Sequence, residues 1–547
     1  MERSALGPNS GSSTWVGKTS LGDANRLGGT GQLPRTPYLD PGRHKSGLGT
    51  TRPSGRGPCF LVANHPASSR PAILSCYMPC SPTAWVPNEY PVVSVGIFML
   101  RANSRLRQRI GPEGMTFLER AAGAVQRILP HVEVSAWSEH DGWSTPGAVW
   151  TPSGRTELRM TVSIGERDHG RSLVASVQRR SVPTQQTAAG RILDFREQDI
   201  CRRIAIQLSS VLEFHSSAAN DASLRAISAA FDEQVISEHL QEHHQLTLSL
   251  SEVFGVLHTL AEQTYENKAL TFGCILDPAA RNDSEAVFPK DFITSKRFRA
   301  LSDGYRTAYH LSSLGQVLDF VDLDIFGGRS MTGKHFYPEW AEPMARASRG
   351  RRCGVALSRQ GDLLVFDEGT LRFTYRNGRW QYWNHAHLIT LLRDRARAQH
   401  VPPSRVGSLV GLVYRAALDV SFRRSGGLFV ILRNRRNLRK IVRAGDAVGD
   451  PGRATADSAF DEAVGGEIPQ SVAVELASLD GAVVLNNSGN ILAYGAVLRP
   501  RRTGRLSGSE GSRTKAAIGA SHYGLALKVS SDGDMTVYHN GKQFICI

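Results

Sequence analysis

The chain has 547 residues, a net charge of +15 and a pI near 9.7. This length exceeds one ordinary domain and favours three or four. The seven cysteines are scattered and form no CxxC pair, which argues against a disulfide framework and indicates a reducing compartment. The positive charge favours polyanionic partners such as nucleotides, nucleic acid or anionic lipid. A solvated, Arg-rich surface explains the same charge equally well.

Residues 1–150 are predicted to be largely disordered or poorly defined. The first 90 are rich in Gly, Ser, Pro, Thr and Arg without a sustained hydrophobic period, so they cannot offset the entropy of ordering. No apolar segment of the secretory type follows the N-terminus, and no run of eighteen uncharged apolar residues occurs anywhere. We therefore expect no membrane span and a cytoplasmic protein.

Residues 151–249 are predicted to form a small α+β region. Apolar residues alternate with polar ones over 157–164 and 173–177, which predicts a β-hairpin, and helices are expected over 196–214 and 221–245. The second helix carries His239 and His243 one turn apart, which raises the hypothesis of a metal site. No third ligand is evident from the sequence, so an exposed polar helix face is the favoured interpretation.

Residues 250–400 are predicted to form a separate domain with an antiparallel meander. A helix is expected over 248–265 and an apolar strand over 270–276. Four short strands follow, and Asn377-Gly378 in one connection is a strong hairpin signal. Residues 328–334 fit the P-loop pattern GxxxxGK, but His335 stands where a Ser or Thr would hold magnesium. A glycine-rich surface turn is therefore the favoured interpretation.

Residues 401–547 are predicted to form an α/β domain with a mixed sheet flanked by helices. Pro402-Pro403 marks its start, Ser404 is a candidate cap of the next helix, and a buried strand is expected over 428–432. A short helix, two strands, another helix and a hairpin over 525–542 follow. This alternation is typical of a sheet with helices on its faces.

Two short motifs in this last domain carry the functional hypothesis. The first is Asp480-Gly481-Ala482, and the second comprises Gly511, Ser512, Arg513, Thr514 and Lys515 at the start of the expected helix. Their order and spacing resemble the diadenylate cyclase (DAC) domain over roughly residues 405–547. That family carries Asp-Gly-Ala at a turn and Gly-Thr-Arg-His-Arg at a helix start. Here Ser512, Thr514 and Lys515 replace the family Thr, His and second Arg.

The resemblance implies a nucleotidyltransferase that joins two ATP molecules into cyclic di-AMP and releases two pyrophosphates. It implies Mg²⁺ or Mn²⁺ as cofactor, held by Asp480 and by Asp532 or Asp534. Asp480, Arg513 and Lys515 would be catalytic. The nucleotide would be bound by Gly481, Ala482, Gly511, Ser512, Arg513, Thr514 and Lys515, and the two glycine-turn residues Gly481 and Ala482 would let it approach the backbone.

Other interpretations remain open at this point. A catalytically degenerate DAC-like module would bind ATP or cyclic di-AMP without turnover, and the basic run over 423–443 raises nucleic-acid binding. The run contains a buried-strand candidate and lacks interleaved aromatic residues, which argues against nucleic acid. Residues 250–400 weakly resemble the sensor domains that precede the cyclase domain in some bacterial proteins. A two-fold homodimer or higher oligomer is expected, because the product joins two adenylates symmetrically.

Overall fold

The computed structural model describes residues 123–150 without 136, 157–164, 171–179, 193–217, 221–280, 287–289, 298, 301–327, 335–448, 468–499 and 511–547. These residues all lie within one compact unit, 85–547. The segment 1–90, which was predicted to be disordered, and the P-loop-like segment 328–334 lie outside the described residues.

The described helices are α1 (Ala124–Ile128), α2 (Phe195–Ser217), α3 (Asp221–His244), α4 (Leu250–Ala261), α5 (Glu342–Ala347), α6 (His385–Ala398), α7 (Pro403–Arg423), α8 (Leu438–Ile441), α9 (Gln470–Ser478) and α10 (Ser512–Ser521). Short 3-10 turns cover Leu323–Phe326, Glu339–Ala341, Arg435–Asn437 and Ala444–Asp446. None of these helices is long and apolar enough to cross a membrane, among the residues described.

The described strands are β1 (Val132–Val134), β2 (Ser138–Asp141), β3 (Gly147–Trp150), β4 (Leu158–Ile164), β5 (Arg171–Arg179), β6 (Thr264–Tyr265), β7 (Lys268–Ala269), β8 (Phe272–Asp277), β9 (Thr307–Ser312), β10 (Val317–Asp322), β11 (Cys353–Leu357), β12 (Leu363–Asp367), β13 (Thr370–Arg376), β14 (Arg379–Tyr382), β15 (Gly427–Leu432), β16 (Ala482–Leu485), β17 (Ile491–Ala496), β18 (Gly524–Val529), β19 (Met535–His539) and β20 (Lys542–Cys546). They form three larger sheets and one two-stranded ribbon.

The first sheet contains β1 to β5, and its central pair is the predicted hairpin. Strands β4 and β5 pair antiparallel, with Leu158 opposite Val177. Leu158, Met160 and Val162 are buried and belong to the same hydrophobic cluster as α2. The alternation in the sequence therefore places one face of this sheet against α2, as a half-buried strand requires.

The second sheet has seven strands in the order β10-β9-β8-β11-β12-β13-β14. The predicted meander β11 to β14 is confirmed as antiparallel, and Asn377 and Gly378 have φ values of 52° and 74°, which suits a tight hairpin. Side chains of β12 alternate between two clusters: Val365 packs toward α2 to α4, and Phe366 packs toward α6 and α7. Because both faces are covered, this strand is apolar without alternation.

The third sheet has six strands in the order β17-β16-β15-β18-β19-β20. Strands β15 and β16 are parallel and the remaining pairs are antiparallel, which confirms the predicted mixed sheet flanked by helices. Phe429 of β15 packs with α7 and α9 on one face, while Val430 packs with α10 on the other. The predicted hairpin is extended by a third strand, β20.

The sequence predicts Ser404 as the cap of α7 and Gly426-Gly427 as its end, and both details are wrong. The helix begins at Pro403, and Pro402 precedes it without a side-chain cap, so Ser404 is a helical residue rather than the cap. Proline is favoured at the first helical position because its missing N–H would have no intrahelical partner there. At the other end, the left-handed residue that closes the helix is Arg424, with φ of 52°, and not a glycine.

Candidate functional site

One edge of the six-stranded sheet gathers the predicted site residues. The parallel strands β15 and β16 both begin at this edge, at Gly427 and Ala482. The antiparallel strand β18 ends there, because Val529 pairs with Gly427. The Asp-Gly-Ala turn and the turn after β18 therefore lie at the same end of the sheet.

Asp480 and Arg513 meet at this edge. Arg513 Nη2 lies 4.0 Å from Asp480 Oδ1, and the Asp480 side chain is fully exposed whereas that of Arg513 is one-third exposed. The guanidinium of Arg513 lies over Gly426, where a Cβ atom would come within 2.4 Å of Arg513 Nη1. The left-handed glycine at 426 thus leaves the space that Arg513 occupies.

Gly481 and Ala482 have structural roles that the sequence did not indicate. Gly481 has φ of +127°, and a Cβ atom there would lie 2.3 Å from the carbonyl carbon of Gly495 in β17. The space predicted for nucleotide approach at Gly481 is therefore filled on that side by the neighbouring strand. Ala482 is 1% exposed and packs in the cluster beneath α10, so its side chain faces the core and not the surface.

The second motif opens α10 at the same edge. Gly511 precedes the helix in an extended conformation, and Lys515 N–H donates to Gly511 O over 3.1 Å. The amide groups of the first helical turn have no acceptor within a helix, which makes this end favourable for an anion. Ser512 is exposed, and Lys515 is half-buried.

Thr514 is paired with a lysine that the sequence prediction missed. Lys528 Nζ donates a hydrogen bond to Thr514 Oγ1 over 3.0 Å, so a positive charge lies beside the position where the DAC family has His. Lys528 is the single charged residue within the apolar strand β18. A charged residue inside such a strand was the signal available in the sequence.

A cleft of about 630 Å³ lies beside α10 and opens on strands β18 to β20. Its lining is mainly polar and consists of Thr514, Ile518, Lys528, Ser530, Asp532, Asp534, Thr536, Tyr538, Gly541, Gln543 and Cys546. The cleft therefore joins the second motif to the turn that carries the predicted acidic residues.

The two acids of that turn differ in their surroundings. Asp534 pairs with Arg379 across 2.8 Å, whereas Asp532 has an exposed side chain and its backbone carbonyl accepts from Asn377 Nδ2 over 3.2 Å. Both partners belong to the β13–β14 hairpin of the seven-stranded sheet. Asp532 lines the cleft and Asp480 does not, so the structure does not bring the two predicted metal ligands into one cluster of three or more potential ligands, within the part of the chain described.

The chain was compared with known proteins. No protein-family model matches it, and no curated protein matches it. Among solved structures it is similar to a double mutant of DacA from Staphylococcus aureus, at 23% identity over 25% of this chain and 86% of that chain, with a TM-score of 0.20. It is also similar to a hypothetical membrane-spanning protein from Bacillus cereus, at 21% identity over 30% of this chain and 76% of that chain, with a TM-score of 0.22. At these TM-scores neither likeness bears on function, which has to be inferred from the residues of the site.

Proposed function

We propose that the C-terminal domain is a diadenylate cyclase-type nucleotidyltransferase, which condenses two ATP into cyclic di-AMP and releases two pyrophosphates. One observation supports this above the others: Asp480 and Arg513, from two motifs distant in the chain, lie 4.0 Å apart at one edge of the sheet. Both side chains reach solvent there, and a helix N-terminus stands beside them. An exposed acid, a partly exposed guanidinium and a helix N-terminus together suit a nucleoside triphosphate.

The reaction needs positioned phosphates more than it needs covalent chemistry by the protein. Each ribose 3′-oxygen forms a bond to the α-phosphorus of the opposite ATP, pyrophosphate departs with the electrons of the broken P–O bond, and the hydroxyl proton is released. Arg513 would hold a phosphate with two parallel hydrogen bonds, and the N-terminus of α10 would add amide donors. These groups would align the attacking oxygen and stabilise the charge on the phosphates.

The altered second motif retains its positive charge in this proposal. Lys515 keeps the charge of the family Arg without its bidentate geometry. Lys528, bonded to Thr514, supplies a cation where the family His would stand. The pair Thr514–Lys528 would therefore replace a protonated His in neutralising phosphate.

Mg²⁺ or Mn²⁺ is the cofactor implied by this chemistry. Asp480 offers an exposed, hard oxygen ligand, and Mg²⁺ is commonly bound by one or two carboxylates together with substrate phosphates and water, so the residues present fit such an ion. When bound, the ion would neutralise negative charge on the phosphates. Asp480 would also orient the 3′-hydroxyl, and Asp532 remains a predicted second ligand from the cleft.

Assembly follows from the symmetry of the product. One site presents one ATP, so two domains would face each other about a two-fold axis. Phosphates between the two sites would offset repulsion between the basic residues around each, including Arg499 and Arg513. Specific activity at fixed ATP should then rise with protein concentration. Strict proportionality over a wide dilution range would contradict this assembly.

The experiment incubates the full chain with ATP and Mn²⁺ and separates the products by chromatography. Cyclic di-AMP formed by the wild type and by Asp319→Asn, an exposed acid on β10, but not by Asp480→Asn, is the expected result. Equal product from a folded Asp480→Asn protein would contradict the assigned role.

A second candidate function is a binding module without turnover. It is favoured by one observation, the replacement of the family His-Arg pair by Thr514 and Lys515. ATP or cyclic di-AMP binding by calorimetry, with no product under any metal, would support this candidate over the cyclase.

A further inference from the structure

Two histidines and one aspartate form a cluster that is distant in sequence from Asp480 and Arg513. His243 and His244 end α3, and Asp367 ends β12. One ligand atom from each of the three lies within 4.8 Å of the others. The cluster joins a helix to the seven-stranded sheet, and the proposed cyclase reaction does not use it.

The hydrogen bond made by His244 shows which ring nitrogen carries the proton. Its Nδ1 lies 2.9 Å from the carbonyl oxygen of Arg351, and a carbonyl only accepts, so Nδ1 carries the proton. In the tautomer with its proton on Nδ1, Nε2 carries the lone pair and is an acceptor. It is buried without a hydrogen-bond partner among the described residues, and His244 is 2–3% exposed.

The atom that faces this nitrogen is also an acceptor. Asp367 Oδ1 lies 3.4 Å from His244 Nε2, is buried, and likewise has no hydrogen-bond partner among the residues described. Arg196 Nη2 donates to the other oxygen of this carboxylate, Oδ2, over 2.6 Å. Two buried acceptors in contact repel each other unless a cation lies between them.

The distances suit a small divalent ion. Ligand atoms about 2.0–2.2 Å from a tetrahedral metal lie roughly 3.4 Å from one another. The His244 Nε2 to Asp367 Oδ1 distance is 3.4 Å, and His243 Nε2 lies 3.7 Å from Asp367 Oδ2. The His243 side chain is 28% exposed, which leaves a path to solvent and a fourth position for water.

Neighbouring groups fix the three side chains. Arg196 Nη2 bonds Asp367 Oδ2 over 2.6 Å and Glu368 over 2.9 Å, so the arginine charge is shared between two acids. His239 stacks parallel to His243, with ring centroids 5.9 Å apart, and is itself held by Asp199 across 2.7 Å. Metal ligands are commonly oriented by such outer hydrogen bonds.

We propose that His243, His244 and Asp367 bind a divalent transition metal of the zinc class. Two imidazoles and one carboxylate are ligands that suit Zn²⁺, and three protein ligands leave one position for water. The ion would tie the C-terminal end of α3 to β12 and thereby to the meander. The sequence raised a metal hypothesis at His239 and His243 but favoured an exposed polar helix face, whereas His239 is 2% exposed. The proposed site takes His244 in place of His239 and Asp367 as the third ligand.

The test uses the full chain without an affinity tag, treated with chelator, dialysed and titrated with Zn²⁺ by calorimetry. The variant is His243→Gln, because His243 is the least buried of the three ligands. The matched control is His258→Gln, whose histidine is 29% exposed and likewise pairs with an acid, Glu233. The wild type and the control should bind Zn²⁺ with an affinity at least tenfold above that of the variant.

Thermal unfolding is a second measurement of zinc binding that does not depend on calorimetry. Added Zn²⁺ should raise the melting temperature of the wild type and of His258→Gln, and should leave that of His243→Gln nearly unchanged. Zinc taken up at Cys59, Cys76 or Cys80 would appear equally in all three proteins. Equal binding and equal stabilisation in His243→Gln, or no zinc uptake by the wild type, would overturn the proposal.

Discussion

Two ionic contacts lie near the start of β15 and differ in the burial of their acid: the pair Asp480–Arg513, and Asp362 with two arginines. Asp480 and Arg513 lie at the surface, 4.0 Å apart, with the Asp480 side chain fully exposed. Asp362 is 1% exposed and bonds two arginines: Arg376 Nε over 3.2 Å and Arg424 Nη2 over 2.6 Å. The same residue types thus form a site open to ligand in one place and a closed ionic contact in the other.

The contact between Asp362 and its arginines also joins the seven-stranded sheet to the six-stranded sheet. Arg376 in β13 lies over the ring of Phe422 at 4.1 Å and donates through Nη1 to Ser421 and to the carbonyl of Gly533. A Cβ atom at Gly533 would lie 2.3 Å from Arg376 Nη1, so this turn fits closely around the arginine. The meander is therefore in direct contact with the turn that carries Asp532 and Asp534.

Burial and the available partners distinguish a structural charge from one that can bind a ligand. Removing one partner of a buried ion pair is costly, because the remaining charge is left buried and uncompensated. A charge that reaches solvent contributes little to stability and is available to a ligand. Four predictions test this distinction.

Asp362→Ala should lower the free energy of unfolding by about 3–5 kcal/mol, because it leaves the buried guanidinium of Arg376 without its acid; the side chain of Arg424 is 30% exposed and loses less. Urea unfolding at pH 7 measures the change. Asp319→Ala, at an exposed position, should stay within about 0.5 kcal/mol of the wild type. An unchanged urea midpoint in Asp362→Ala would remove the distinction between the contact of Asp362 and that of Asp480.

Asp480→Asn should lower cyclic di-AMP formation at least a hundredfold, about 2.7 kcal/mol in the activation free energy. The reason is the loss of the carboxylate proposed to hold the metal and orient the 3′-hydroxyl. Its unfolding free energy should remain within about 0.5 kcal/mol of the wild type, since the side chain is fully exposed. Loss of stability together with activity would place Asp480 among the structural charges.

The free energy of unfolding should fall as the pH falls from 7 to 5, because His385 is buried in its neutral form. His385 is fully buried, its Nε2–H donates to Leu371 O, and its Nδ1 accepts from the Tyr414 hydroxyl, both at 2.7 Å. Burial lowers its pKa to about 3, below the value of about 6.5 in the unfolded chain, so the stabilising difference is present above pH 6.5 and is lost toward pH 3. Between pH 7 and 5 this single group contributes a loss of about 2 kcal/mol.

The measurement is urea unfolding of the wild type and of His385→Gln at both pH values. Glutamine can form neutral hydrogen bonds at this position but does not titrate. The pH-dependent loss should therefore be about 2 kcal/mol smaller in His385→Gln. An equal loss in both proteins would show that His385 is not kept neutral by the fold.

Lys515→Arg combined with Thr514→His should tighten ATP binding about tenfold, or about 1.4 kcal/mol. The arginine restores a bidentate contact, and most of the gain should come from it. A histidine at 514 would stand beside Lys528, whose charge opposes protonation of the ring. Calorimetry of the double variant and of each single variant separates the two contributions. No gain from Lys515→Arg would mean that α10 presents this side chain away from the nucleotide.

Local sequence patterns were sufficient to predict several elements and the mixed α/β class, but not α1 and β1 to β3, which lie in a region expected to be largely disordered or poorly defined. The alternation over β4 and β5, the Asn377-Gly378 turn and the apolar runs of β12 and β15 are local patterns, and each element formed where its pattern predicted. The mixed sheet followed from helices alternating with strands. The two motifs were recognised because their residues are contiguous in the chain.

Which charged side chains contact each other and which reach solvent depends on how distant elements pack in the tertiary structure. Gly481 needs to be glycine because β17 passes against it, and Lys528 reaches Thr514 because α10 crosses the end of β18. His244 has Asp367 as a neighbour because the C-terminal end of α3 lies against the end of β12. These contacts join residues distant in sequence. Local periodicity fixes the face on which a side chain lies, but strand order and helix packing fix its partner and its burial.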